Sequence, residues 1–119
     1  AILNSINSIG NLAFYGCCSL TDIEIPSNIT NIGDSAFYNC SNLTSIEIPN
    51  GVTNIGCWAF YGCSSLINIE IPNSVTSIGE FAFCNCDKLT IYCETTSKPN
   101  GWSTSWNPNN CQVLWGYEK

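Results

Sequence analysis

Apolar and polar positions recur along this chain with a fixed period of 23 residues. Phe14, Phe37, Phe60 and Phe83 share one position in successive units, and Cys17, Cys40, Cys63 and Cys86 share another. In residues 25–47 the apolar set is Ile25, Ile29, Ile32, Ala36, Phe37, Cys40, Leu43 and Ile46. Residues 48–70 repeat it as Ile48, Val52, Ile55, Ala59, Phe60, Cys63, Leu66 and Ile69. A single unit has no second layer against which to bury these side chains. The period therefore predicts a solenoid, with each unit one coil stacked on the next.

Inside a unit the pattern resolves into elements. Ile46 and Ile48 alternate with Ser45 and Glu47, which predicts a half-buried strand. Pro26, Pro49 and Pro72 follow that strand and end it, because proline has no N–H for a ladder. Stacked coils make these strands parallel neighbours in one sheet. Gly10, Gly33, Gly56 and Gly79 predict a corner that needs positive φ or close backbone approach. Residues 35–38 predict one short helical turn, ended by a left-handed residue at Gly16, Asn39, Gly62 or Asn85. Residues 1–93 are thus expected to hold four repeats, beginning at Ile2. The start of the first unit so close to Ala1, with no signal-peptide pattern before it, predicts a piece of a longer protein.

The period breaks at Leu89-Thr90-Ile91-Tyr92-Cys93-Glu94, one residue short of the earlier units. Residues 94–119 carry Pro99, Gly101, Pro108 and three of the four tryptophans. They are expected to form a C-terminal cap, since a terminal repeat has to close an exposed sheet edge and core. In that reading residues 112–115 supply a last strand, and Trp102, Trp106 and Trp115 cover the open end.

The pattern I-P-x-x-V-T-x-I-G-x-x-A-F-x-x-C-x-x-L-T-x-I-x resembles the BspA-type leucine-rich repeat family. Residues 25–47, 48–70 and 71–89 carry it, as do residues 2–24 with Leu3 in place of the proline. The resemblance implies an α/β fold: a right-handed leucine-rich-repeat solenoid with its parallel sheet on one face and short helical turns on the other. It also implies a cell-surface or secreted protein associated with adhesion to host or extracellular-matrix proteins. The Trp115-Gly116-Tyr117 ending is similar to tails that close other repeat proteins of this type.

Charge narrows the partners. Nine acidic residues face three basic ones, a net charge of -6, which argues against nucleic acid and anionic membrane surfaces. No apolar run approaches the ~20 residues needed to span a bilayer as a helix. Few charges and many Asn, Ser and Thr favour a secreted setting. Catalysis finds no support: without histidine, Ser–His and Cys–His pairs cannot be built within the chain. Neither a phosphate-cradling glycine loop nor a dinucleotide fingerprint occurs. No cofactor is implied, and no zinc-ligand spacing is present.

Four constellations remain. The cysteine column reads first as packing, since free cysteine behaves as a small buried hydrophobe. Cys93 and Cys111 bracket the expected cap loop and are the candidate disulfide; Cys18, Cys57 and Cys84 lie off the column and are expected to be free. On the outward strand positions, Glu24, Glu47 and Glu70 form one column and Asp22, Ser45 and Asn68 another, with Tyr92 at the end of the row. This face is the candidate binding surface for an extracellular or host protein. The competing reading is a solvated face copied by duplication, in which case the repeats are a structural spacer. Tyr15, Tyr38 and Tyr61 form a third column with Trp58 and Phe81 nearby, either an interface or a partly buried stripe. The tail tryptophans offer a glycan-binding alternative, which requires Trp102 and Trp106 to present an exposed ring face. Sequons at Asn28, Asn39 and Asn42 are expected by chance in so Asn- and Thr-rich a chain.

Overall fold

The computed structural model describes residues 7–118. The expected start of the first unit, at Ile2 and Leu3, lies outside the described residues. Nine short strands follow one another: β1 (Ser8–Ile9), β2 (Asp22–Ile23), β3 (Asn31–Ile32), β4 (Ser45–Ile46), β5 (Asn54–Ile55), β6 (Asn68–Ile71), β7 (Ser77–Ile78), β8 (Thr90–Cys93) and β9 (Gln112–Trp115). Every pairing is parallel. β1-β3-β5-β7 form one ladder. β2-β4 and β6-β8-β9 hydrogen-bond as separate sheets, with β4 lying against β6, so that five strands line a second face. The protein is a parallel-strand solenoid of five coils.

The register carries the period directly into space. Ile9 pairs with Ile32, Ile32 with Ile55 and Ile55 with Ile78, each 23 residues on. Each coil therefore sets its ladder side chain on the same side chain of its neighbour. Phe37, Phe60 and Phe83 are wholly buried, and rings stack from Phe14 to Phe83 at 5.2, 5.3 and 5.5 Å, nearly parallel. Cys40, Cys63 and Cys86 lie beside them, also wholly buried. Threonines reinforce the first ladder: the Thr53 hydroxyl donates to the Thr30 carbonyl at 3.1 Å, and Thr30 repeats this to Asn7.

The structure holds two strand ladders where sequence patterning gave one. The second strand of each coil, as in Asn54–Ile55, is two residues long. Its inward neighbours Val52 and Ile55 are three apart, so no period-two alternation announces it.

The expected helical turns are not there: no helix occurs among the described residues, and the convex segments are chains of tight turns. Ser35, Trp58 and Phe81 each adopt positive φ, of 56°, 62° and 58°, and a left-handed residue there stops a helix from starting. The amide hydrogens then divide their partners. Ala36, Tyr38 and Cys40 donate locally to Gly33, Ser35 and Phe37. Ser35, Phe37 and Asn39 donate instead to Cys57, Ala59 and Tyr61 of the next coil, at 2.6–2.9 Å. Half of the donors close turns and half tie coils together. The left-handed ends at Gly16, Asn39, Gly62 and Asn85 fall where the turn chemistry places them.

The corner glycines Gly33, Gly56 and Gly79 answer to close approach rather than to positive φ, whereas a Cβ at Gly10 would meet nothing within 4 Å. A Cβ on Gly33 would stand 2.6 Å from the Asn11 amide nitrogen, and one on Gly56 2.5 Å from that of Asp34. This proximity lets Asn11 Oδ1 accept from the Asp34 amide and Asp34 Oδ1 from the Cys57 amide, at 2.8 and 2.9 Å.

Residues 94–118 hold the expected last strand, residues 112–115, as β9. They make the fifth coil. β9 pairs with β8 in parallel register, Ile91 opposite Val113, and Trp102 forms a bridge to Ile78. Phe81 and Phe83 donate to the carbonyls of Ser105 and Trp106, as Phe60 does to Ala82. Trp106 takes the place of the next Phe, edge-on to Phe83 at 6.0 Å.

Candidate functional site

The outward row on the second face is built by strand register. Asp22 stands opposite Ser45, Asn68 opposite Thr90, and Glu70 opposite Tyr92. Asp22, Glu24, Ser45, Glu47 and Asn68 are exposed, while Glu70 and Tyr92 are half-buried. Their inward neighbours Ile46, Ile69 and Ile91 hold the backbone flat against the core. Adjacent parallel strands lie ~4.8 Å apart, so the row forms one continuous surface. Sequence reasoning missed its far end: Leu114 stands opposite Tyr92 and is 40% exposed. The row thus runs from carboxylates at Glu24, Glu47 and Glu70 to the apolar pair Tyr92 and Leu114. The three basic residues, Lys88, Lys98 and Lys119, lie outside these row positions.

A groove of about 260 Å³ opens beside Glu47, between the strand ends of adjacent coils, with Ile25, Ile48 and Pro49 in its wall. Ser27, Asn50 and Gly51 complete its lining, so one carboxylate sits beside a mixed polar and apolar wall. Such a place suits a side chain with an aliphatic stem and a cationic head. Among the described residues no group of three or more His, Cys, Asp or Glu is placed to hold a metal ion.

The cysteines are packing groups. The thiols of Cys40, Cys63 and Cys86 donate to the carbonyls of Phe14, Phe37 and Phe60 at 3.1, 3.2 and 3.0 Å. Burial pushes the Cys40 thiol up to about 11 and that of Cys86 to about 12; Cys63 is raised for the same reason. Cys93, buried opposite Trp115, is likewise pushed to about 12. Thiols held protonated in this way are poor nucleophiles and poor metal ligands.

The expected Cys93–Cys111 disulfide does not form, and all nine cysteines are free. Register explains it. Cys93 pairs with Trp115, four residues beyond Cys111, which places the two cysteines roughly 13 Å apart along the ladder. A disulfide needs Cα atoms within about 7 Å. Cys111 instead precedes β9 as Leu89 precedes β8 and hydrogen-bonds the Cys86 carbonyl at 3.3 Å.

Two of the three tail tryptophans are buried as well, while Trp115 is 38% exposed. Trp102 is 2% and Trp106 6% exposed, and the Trp102 indole donates to the Val75 carbonyl at 3.2 Å. Neither presents a free ring face, and the glycan reading falls with them. The tyrosine column is continuous: Tyr15, Tyr38 and Tyr61 stack at 4.8 and 4.6 Å, with Trp58 tilted against Tyr61 at 5.4 Å. Their ring faces are largely spent on one another, and the Tyr61 hydroxyl accepts from Asn85.

These features define a class, a leucine-rich-repeat solenoid whose inward positions are fixed by stacking and whose outward strand positions are free to vary. The chain belongs to the BspA-type leucine-rich repeat family, which matches in six copies over residues 1–99. A leucine-rich repeat protein from Bacteroides ovatus is 39% identical with a TM-score of 0.71, over 92% of this chain and 25% of that one. The T. pallidum leucine-rich repeat protein is 28% identical with a TM-score of 0.65, over 94% of this chain and 64% of that one. The chain therefore spans about a quarter and about two thirds of the lengths of these two proteins. No curated protein matches it.

Proposed function

We propose that this solenoid is a non-enzymatic protein-binding module of a cell-surface or secreted protein, and that it binds through the second face. The observation that carries the reading is the row Asp22, Glu24, Ser45, Glu47, Asn68, Glu70 and Tyr92, an open surface with four carboxylates and the Glu47 groove beside it. Like charges set opposite one another on neighbouring strands are mildly destabilising. A partner with basic side chains would relieve that repulsion. The partner this chemistry fits is an extracellular or host protein offering lysine or arginine on an extended or convex surface. Family membership supports the reading, since leucine-rich repeats commonly serve as protein-binding or structural modules.

Alanine substitution of Glu24, Glu47 and Glu70 together tests it. Binding of the full chain to immobilised extracellular-matrix protein is expected to fall at least tenfold, with the circular dichroism spectrum unchanged. It is also expected to weaken as salt rises through ~0.15 M, where exposed charges more than about 8 Å apart are screened. If the triple variant binds as the wild type does, the repeats are a spacer and the face is only solvated.

A further inference from the structure

We propose that Gly51 opens the groove beside Glu47 as a seat for one lysine or arginine side chain of the partner, and so sets where on the second face the partner is read. This rests on the proposed function, because the partner is the basic protein that the second face binds. A proline-led turn follows the strand in three successive coils, at residues 26–29, 49–52 and 72–75. All three close by the same bond, from the amides of Ile29, Val52 and Val75 to the carbonyls of Pro26, Pro49 and Pro72, at 3.1–3.2 Å. The third position of the turn is Asn28, Gly51 and Ser74 respectively.

Nothing in the fold requires glycine at position 51. At Gly33, Gly56, Gly79 and Gly101 a Cβ would press against the backbone of a neighbouring coil. Gly16, Gly62 and Gly116 adopt positive φ. Gly51 does neither: a Cβ there would stand 3.6 Å from the Ser27 and Ile29 carbonyls, an ordinary contact. The same turn forms with asparagine and serine in its place. What the missing side chain leaves is space, since Gly51 lines the groove together with Ser27 and Glu47. At the next coils that space is filled. Ser74 stands in the place of Gly51, with its hydroxyl oxygen buried. Glu94 follows Cys93 as Pro72 follows Ile71, and its carboxylate folds back to accept from the Asn73 amide at 2.9 Å.

The groove's chemistry selects its occupant. Glu47 is exposed, and among the described residues its carboxylate has no hydrogen-bond or ion-pair partner. Ile25, Ile48 and Pro49 offer an apolar strip along which an aliphatic stem can lie. The Ser27 carbonyl, at the Gly51 end, is a second acceptor. A cationic head donates to both, and its bond to the carboxylate is charge-assisted. A ligand carboxylate would meet Glu47 with like charge, and an uncharged side chain would leave Glu47 without that bond. The net charge of -6 draws a basic partner toward the chain and repels an acidic one.

NMR titration of the isotope-labelled full chain with Nα-acetyl-lysine amide, Nα-acetyl-arginine amide and the uncharged Nα-acetyl-norleucine amide tests the proposal. The expected result is saturable shifts in the millimolar range at the amides of Ser27, Asn50 and Gly51, with one or both cationic probes and not with norleucine. Glu47→Gln, which keeps the shape of an exposed side chain, should weaken this binding at least fivefold. Gly51→Asn, which places the Asn28 side chain one turn on, should do the same with the circular dichroism spectrum unchanged. Glu80→Gln, at the corner after Gly79, should leave it unaltered. No saturable shift at these amides with either cationic probe overturns the proposal. So do equal shifts with norleucine, undiminished binding by Gly51→Asn, or Glu80→Gln weakening it as much as Glu47→Gln. Gly51→Asn retains every carboxylate, so its failure is distinct from that of the proposed function. If it binds immobilised extracellular-matrix protein as the wild type does, while the Glu24, Glu47 and Glu70 triple variant does not, the seat falls and the binding face stands. If the triple variant binds as the wild type does, the proposed function falls and the seat with it.

Discussion

Coils two to four and the fifth coil solve the same stacking problem differently. In the middle coils, each position is copied from its neighbour. Phe37, Phe60 and Phe83 stack within a few degrees of parallel, and each buried thiol finds the Phe carbonyl of the preceding coil. In the fifth coil the copy ends. Trp106 meets Phe83 edge-on, Trp102 and Trp115 tilt against each other at 31°, and Cys111 stands where leucine stood. What is preserved is the backbone bonding and the strand register. Identical side chains pack well only when they have identical neighbours above and below. Among the described residues the fifth coil stacks on one neighbour, β8 beside β9, and larger rings there cover more surface than a repeated Phe would.

This contrast predicts unequal responses to truncation. Phe60→Ala opens a cavity between two coils that cannot collapse independently, and should destabilise the whole chain by about 3–5 kcal/mol in denaturant unfolding. Trp106→Ala removes a ring of similar burial, yet its effect should fall mainly on the fifth coil, which can open alone. Its global transition should move less than that of Phe60→Ala. A loss below about 1 kcal/mol for Phe60→Ala would show that the Phe column is not the core.

Alkaline pH sharpens the comparison with a smaller effect. The buried Cys86 thiol titrates near 12, against 9.0 for an ordinary thiol. A raised acid holds more protons in the folded state than in the unfolded one. Its stabilising contribution is thus complete below about pH 9 and is lost as pH rises toward 12, by about 1.4 kcal/mol per pH unit for one such thiol. Cys40, Cys63 and Cys93 act in the same direction. The denaturation midpoint should be flat from pH 7 to 8 and decline above pH 9. In native protein at pH 8, exposed Cys18 should react with a thiol reagent first, half-buried Cys111 later, and Cys63 and Cys86 only on unfolding.

The ladder positions were legible because period translates into register without further information. Ile32, Ile55, Phe60 and Cys63 could be placed inward from spacing alone. The outward row was legible for the same reason, since Ser45 and Glu47 alternate with Ile46 and Ile48. Elements that depend on contacts between coils were not. Residues 35–38 look helical as an isolated segment, but the amides of Ser35 and Phe37 find better-placed acceptors at Cys57 and Ala59 of the next coil. Of the fifth coil the last strand, residues 112–115, was legible; the rest was hidden because Trp102 and Trp106 replace the side chains that define the period while keeping their backbone bonds. The Cys93–Cys111 pairing failed because nearness to a loop says nothing about strand register.

Native-state hydrogen exchange at Phe81 and Phe83 tests most directly whether residues 94–118 continue the solenoid. Their amides donate to Ser105 and Trp106, as those of Phe37 and Phe60 donate to Ala59 and Ala82. Protection of all four amides, with Phe81 and Phe83 exchanging far more slowly than an exposed amide, is the predicted result. Protection at Phe37 and Phe60 combined with free exchange at Phe81 and Phe83 would contradict it, and would mean that the stack ends at the fourth coil.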